Sequence, residues 1–178
     1  MKYAKTGMIL GAALLATQLG FANTPGHDGY ERVTEEVRRK LVTLPFYSLF
    51  DSFKYKVDGG TVTLMGEVSR PTLKSDAEAV VKRIEGVETV KNEIKVLPVS
   101  PMDDELRWKL YYAIYGNTAL QTLSIRAVPP IHIIVENGHV RLEGAVGNEA
   151  QKNIAVMQAN SVPGIFSVTN NLRVDAKN

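Results

Sequence analysis

The chain has 178 residues, with 21 Lys and Arg against 19 Asp and Glu, and no cysteine. Lys2 and Lys5 account for the whole basic excess, so the rest of the chain is formally neutral, unlike a nucleic-acid binder with its strong positive charge. The absence of cysteine excludes disulfides, thiol catalysis, Cys-based metal sites and a lipid-modified N-terminal cysteine.

In chain order, Lys2 and Lys5 precede an apolar run from Met8 to Ala16, and Gly20-Phe21-Ala22 follows with small residues where a signal peptidase reads them. This is the layout of a secretory signal peptide over residues 1–22, and the run is shorter than the roughly 20 apolar residues of a membrane span. The expected product is a secreted protein without a lipid anchor; a retained N-terminal anchor is the alternative.

Glu31 to Leu44 reads as a helix, with Val33, Val37, Leu41 and Leu44 at helical spacing and Pro45 as its stop. Phe53, Tyr55 and Val57 alternate with Lys54 and Lys56, which predicts a half-buried strand. The turn Asp58-Gly59-Gly60 joins it to a second strand carrying Val62, Leu64 and Val68. A second helix is predicted from Thr72 to Glu85, capped by Gly86, and a last strand from Val87 to Val96.

The same pattern then returns. Val57 to Val68 is echoed by Val135 to Val146, and Gly86, Val90, Asn92 and Val96 by Gly164, Val168, Asn170 and Val174, all at an offset of 78. The copy predicts a helix over Asp103–Tyr115, a hairpin from Ile131–Val135 and His139–Val146, a helix over Ala150–Val162 and a strand over Ile165–Val174. Its first helix aligns at an offset of 69, so nine extra residues lie between Gly116 and Pro130. An ungapped repeat means two similar small domains. Each is expected to be an α+β sandwich, a three-stranded sheet covered on one face by helices in α-β-β-α-β order. The expected domains are 30–97 and 103–175, joined by the stiff linker Leu97-Pro98-Val99-Ser100-Pro101-Met102.

The repeated residues resemble the BON domain (bacterial OsmY and nodulation). The resemblance rests on Gly60, Val62, Leu64, Gly66, Val68, Gly86, Val90 and Asn92 in the first copy. In the second it rests on Gly138, Val140, Leu142, Gly144, Val146, Gly164, Val168 and Asn170. It implies the α-β-β-α-β fold and makes Gly60, Gly66, Gly86, Asn92, Gly138, Gly144, Gly164 and Asn170 structural positions. Tandem copies behind a signal peptide resemble OsmY-like periplasmic proteins. The resemblance therefore implies a periplasmic location and non-enzymatic binding to phospholipid membranes in envelope or osmotic stress, with no catalytic residue and no cofactor.

The helix from Asp103 to Tyr115 stands apart. At 100° per residue, Leu106, Leu110, Ala113 and Ile114 share one face, and Trp108, Tyr111, Tyr112 and Tyr115 fall on the other. Trp and Tyr favour the membrane–water interface, and Arg107 and Lys109 are placed to meet lipid phosphates. Trp108, Tyr111, Tyr112, Tyr115, Arg107 and Lys109 are thus the candidate lipid-binding residues, with an anionic phospholipid surface as the expected partner. The competing reading packs these rings against the first domain or the insert. Phe46, Tyr47 and Phe50 are expected to seal a sheet edge. His27, His132 and His139 show no metal-ligand spacing and read as surface residues, and no catalytic motif is present. A second functional reading is an adaptor for another envelope protein, without direct lipid binding.

Overall fold

The computed structural model describes residues 25–175; the signal peptide expected at 1–22 lies outside them. Helix α1 (Pro25–Val42) leads into strands β1 (Ser52–Asp58) and β2 (Thr61–Val68), helix α2 (Pro71–Val81) and the short strands β3 (Thr89–Asn92) and β4 (Lys95–Val96). Helix α3 (Pro101–Tyr115), a 3₁₀ turn (Gln121–Ile125), β5 (Ile131–Glu136), β6 (His139–Val146), α4 (Glu149–Asn160) and β7 (Ser167–Val174) repeat the order. The fold is the expected tandem of α+β sandwiches.

In each sheet an antiparallel hairpin is followed by a parallel strand. β1 pairs β2, and β2 pairs β3 and β4; β5 pairs β6, and β6 pairs β7. The parallel pairing follows from the intervening helix, which carries the chain back across the sheet. One core holds Val37, Leu41, Val62, Leu64, Leu73 and Ile94. The other holds Leu106, Leu110, Ile114, Ile131, Ile133 and Leu142.

The glycine shared as Gly66 and Gly144 has a steric cause. Their φ angles are +107° and +111°, and a Cβ at either would sit 2.0 Å from the carbonyl oxygen of Ser52 or Pro130. Only glycine fits such an approach.

Most boundaries fall within two residues of the sequence reading, and three elements depart further. α1 begins at Pro25 rather than Glu31. α2 ends at Val81, four residues short of Glu85, with Lys82 as its cap. Ile84 is still buried, because turn hydrogen bonds from Ile84 N to Val81 O and from Val87 N to Ile84 O keep the chain on the core. Gly86, at φ +92°, serves that turn instead of capping the helix. The last strand of the first copy is interrupted after Asn92, whose side chain is tied to α2. Its Oδ1 accepts from Ile94 N at 3.2 Å, while its Nδ2 donates to Lys74 O at 2.9 Å and Glu78 Oε2 at 3.0 Å.

Candidate functional site

Helix α3 is fixed at its start from two sides. The Ser100 side chain accepts from Asp103 N at 3.2 Å, an N-cap. The buried Asp103 carboxylate accepts from Asn137 N at 2.8 Å and Gly138 N at 2.9 Å, which ties the helix to the β5–β6 turn. Leu106, Leu110 and Ile114 enter the core as expected.

The six candidate residues divide. Trp108 is 53% exposed and Tyr112 68% exposed, and Tyr111 is half-buried beside them. Tyr115 is not on this surface. It is 3% exposed, its hydroxyl donates to Ile131 O at 2.8 Å, and it accepts from Ile131 N at 2.9 Å. Burial pushes its phenol pKa upward, against a smaller lowering from the Ile131 hydrogen bond. Arg107 also turns inward. It is 5% exposed, donates to Val135 O at 2.7 Å and pairs with Asp104, which leaves it out of reach of an external phosphate. Lys109 is outward, paired with Glu105 at 2.7 Å, and that ammonium holds the Glu105 carboxyl below its usual range.

The exposed rings are supported from the first domain. Phe50 meets Trp108 edge-on with centroids 5.2 Å apart, and Trp108 meets Tyr111 in the same way at 5.8 Å. Edge-to-face contacts of this kind suit the aromatic quadrupole. Packing against the first domain and exposure of the same helix face therefore coexist: Phe50 covers one edge of Trp108 and leaves the rest open.

Phe50 is held by a residue that sequence reasoning passed over. Asp51 is fully buried, and its carboxylate accepts four bonds. They come from Ser48 N at 3.0 Å, Ser48 Oγ at 2.8 Å, Ser69 N at 2.6 Å and Ser69 Oγ at 2.8 Å. This knot fixes the α1–β1 loop, which projects Leu49 and Phe50 onto the second core. Of the three rings expected to seal an edge, Phe46 is exposed and Tyr47 packs on the first core; Phe50 does serve an edge, but that of the second sheet, beside Leu49, whose O accepts from Ile133 N at 2.7 Å. The repeat did hold a signal, since Pro129 stands at the position matching Asp51.

The two sheets also meet face to face. Lys54 reaches Glu143 at 3.1 Å and Lys95 reaches Glu136 at 2.6 Å, and Arg141 pairs with Glu67. Ile134 lies on this face, opposite to Ile133 and Val135, and is fully buried. His132 is no surface histidine. Its Nδ1 lies 2.6 Å from Asp51 O, its ring tilts against Tyr47 at 5.7 Å, and burial lowers its pKa. His139 is exposed as expected, with Nδ1 2.8 Å from Ser167 Oγ, and His27 lies among residues whose side chains are not described. Among the described residues, no group of three or more His, Cys, Asp or Glu could hold a metal ion.

Two α-β-β-α-β sandwiches in tandem, each with a glycine where its two hairpin strands cross most closely, define a class of small repeated α+β modules. The chain belongs to the BON domain family, whose model matches residues 31–98 and 119–176. It is 32% identical to "Osmotically-inducible protein Y" of Escherichia coli, over 79% of this chain and 70% of that protein. It is 29% identical to "Outer membrane lipoprotein DolP" of Haemophilus influenzae, over 61% of this chain and 55% of that protein. A solved structure of CdsD, a structural protein of the type III secretion system of Chlamydia trachomatis, aligns at TM-score 0.28 and 12% identity, covering 82% of this chain and 93% of that one. Helix α3 lies between the two matched stretches, so the aromatic residues fall outside what the family model reads.

Proposed function

We propose that the protein is a non-enzymatic component of the bacterial envelope, periplasmic, that binds anionic phospholipid surfaces through the outer face of α3 during envelope or osmotic stress. The observation that carries this reading is the exposure of Trp108 and Tyr112 on one helix, buttressed by Phe50 and flanked by Lys109. Trp and Tyr partition to the headgroup region, where an apolar body and a polar tip are both satisfied. The names of the two relatives, one osmotically inducible and one an outer membrane lipoprotein, support the envelope setting. No helix among the described residues is long and apolar enough to cross a membrane, so contact through α3 would be at the surface.

The contact set is smaller than the sequence suggests: Trp108, Tyr112, Lys109 and the exposed part of Tyr111. Trp108 is the only tryptophan and reports on this face directly. Titration of residues 23–178 with phosphatidylglycerol vesicles is expected to shift its emission to the blue and saturate, with little change for phosphatidylcholine. Trp108→Ala and Tyr112→Ala are expected to lower co-sedimentation with the anionic vesicles about tenfold or more together. Equal sedimentation of wild type and the double variant would end this reading.

The adaptor reading keeps one observation of its own. Ile125, in the insert of the second domain, is 83% exposed. A protein partner would be favoured if vesicles leave the Trp108 emission unmoved and Ile125→Asp removes a co-purifying envelope protein.

A further inference from the structure

Between the domains lies an open cleft of about 720 Å³, a size typical of small-molecule sites. The first domain contributes Leu41, Val42, Tyr47, Phe53 and Arg38, and the second contributes Arg173 and Glu143. We infer that this cleft is a binding site for a single-chain amphiphilic anion, with its apolar tail on the floor of Val42, Tyr47 and Phe53 and its carboxylate or phosphate head held by Arg38 and Arg173.

The charge balance selects an anion. Among the described residues Glu143 is the only carboxylate in the cleft wall, and it is already neutralised. Lys54 lies 3.1 Å from it and Asn171 Nδ2 donates to it at 2.8 Å. His132 lines the cleft, and burial favours its neutral form. Two guanidinium groups remain. Among the described residues Arg38 is ion-paired only with Glu35, at 3.2 Å with both side chains more than 60% exposed, a pair that an incoming anion can replace at little cost. Arg173 is exposed and has no ion-pair partner among the described residues. A planar guanidinium binds a carboxylate or phosphate through paired N–H donors, and the cleft offers one from each domain.

The floor selects the tail. Val42 is 42% exposed at the end of α1, and Tyr47 and Phe53 stack at 5.0 Å with part of their rings uncovered. Covering such surface with an alkyl chain is favourable in proportion to the apolar area removed from water. The site needs both domains, so an occupant would also brace them against each other.

The test is calorimetric titration of the protein with decanoate and decyl phosphate, each below its micellar concentration, with decanol as the neutral counterpart. Saturable binding of one or both anions with a 1:1 stoichiometry is expected, with decanol at least about tenfold weaker. Arg38→Gln with Arg173→Gln should weaken the anions about tenfold or more, and Val42→Asp should do so independently. Both arginines are exposed, so unchanged thermal melting is expected of the double variant. Trp108→Ala should bind decanoate like wild type, which separates this cleft from the α3 face. The inference is overturned if neither anion binds saturably, if decanol binds as tightly, if the arginine variant is indifferent, or if Trp108→Ala abolishes binding.

Discussion

Asp51 shows how one side chain can set the relation of two domains. A buried carboxylate is tolerable only when its oxygens are satisfied, and the four bonds from Ser48 and Ser69 do this. Asp51→Ala would leave the Ser48 and Ser69 amides short of partners in a partly buried setting. A loss of about 3 kcal/mol or more is expected in urea unfolding, together with a looser packing of Phe50 on Trp108, read as a red shift of Trp108 emission. Asp103 is the comparator. It accepts only two backbone bonds, and Asp103→Ala is expected to cost about 2 kcal/mol without altering the α1–β1 loop. If both substitutions cost the same and both move Trp108 emission equally, the loop does not depend on Asp51 in the manner argued.

At the scale of the element, α3 separates stability from surface chemistry on one helix. Leu110 is fully buried, so Leu110→Ala should destabilise the protein by about 2–5 kcal/mol in urea unfolding. Tyr112 is mostly exposed, and Tyr112→Ala should stay within about 0.5 kcal/mol while still weakening vesicle binding. A large stability loss from Tyr112→Ala would mean that this ring is a packing residue. The aliphatic stripe was legible in the sequence because Leu106, Leu110 and Ile114 follow the helical period. The fates of Tyr115 and Arg107 were not: Arg107 borders that stripe and Tyr115 falls on the opposite face at the helix end, yet each is drawn inward by a backbone carbonyl of β5, Ile131 O for Tyr115 and Val135 O for Arg107. The end of α2 misled for a related reason. Ile84 continues the apolar spacing of the helix, yet it reaches the core from a turn, and periodicity alone does not distinguish the two. The glycines at 66 and 144 were readable as scaffold by repetition, although the carbonyl contacts that demand them were not.

For the whole molecule, the decisive feature is that the domains share a polar seam with His132 inside it. The Asp51 carbonyl can only accept, so a contact of 2.6 Å requires the proton on His132 Nδ1, as either the neutral tautomer or the cation provides. Burial disfavours the cation and lowers the pKa from the ordinary 6.5; the Asp51 carbonyl, the Asp51 and Glu143 charges and the Ser48 backbone oppose this with smaller effects. The groups facing the ring are thus Asp51, Glu143 with its partner Lys54, and Tyr47. The sign follows directly. Below pH 6.5 the unfolded chain takes up a proton at His132 that the folded protein still refuses, so the stability this residue contributes is complete above that pH and falls as the solution becomes more acidic. For one proton the slope cannot exceed about 1.4 kcal/mol per pH unit. Urea unfolding at pH 7.5, 6.0 and 5.0 is expected to show wild type losing more stability on acidification than His132→Gln, which keeps a polar side chain at the seam but does not titrate. Comparison with the variant removes the contribution of the carboxylates, which titrate in both proteins. Parallel pH profiles for the two would show that His132 changes its charge as readily in the folded seam as in the unfolded chain, and that burial between the domains does not govern it.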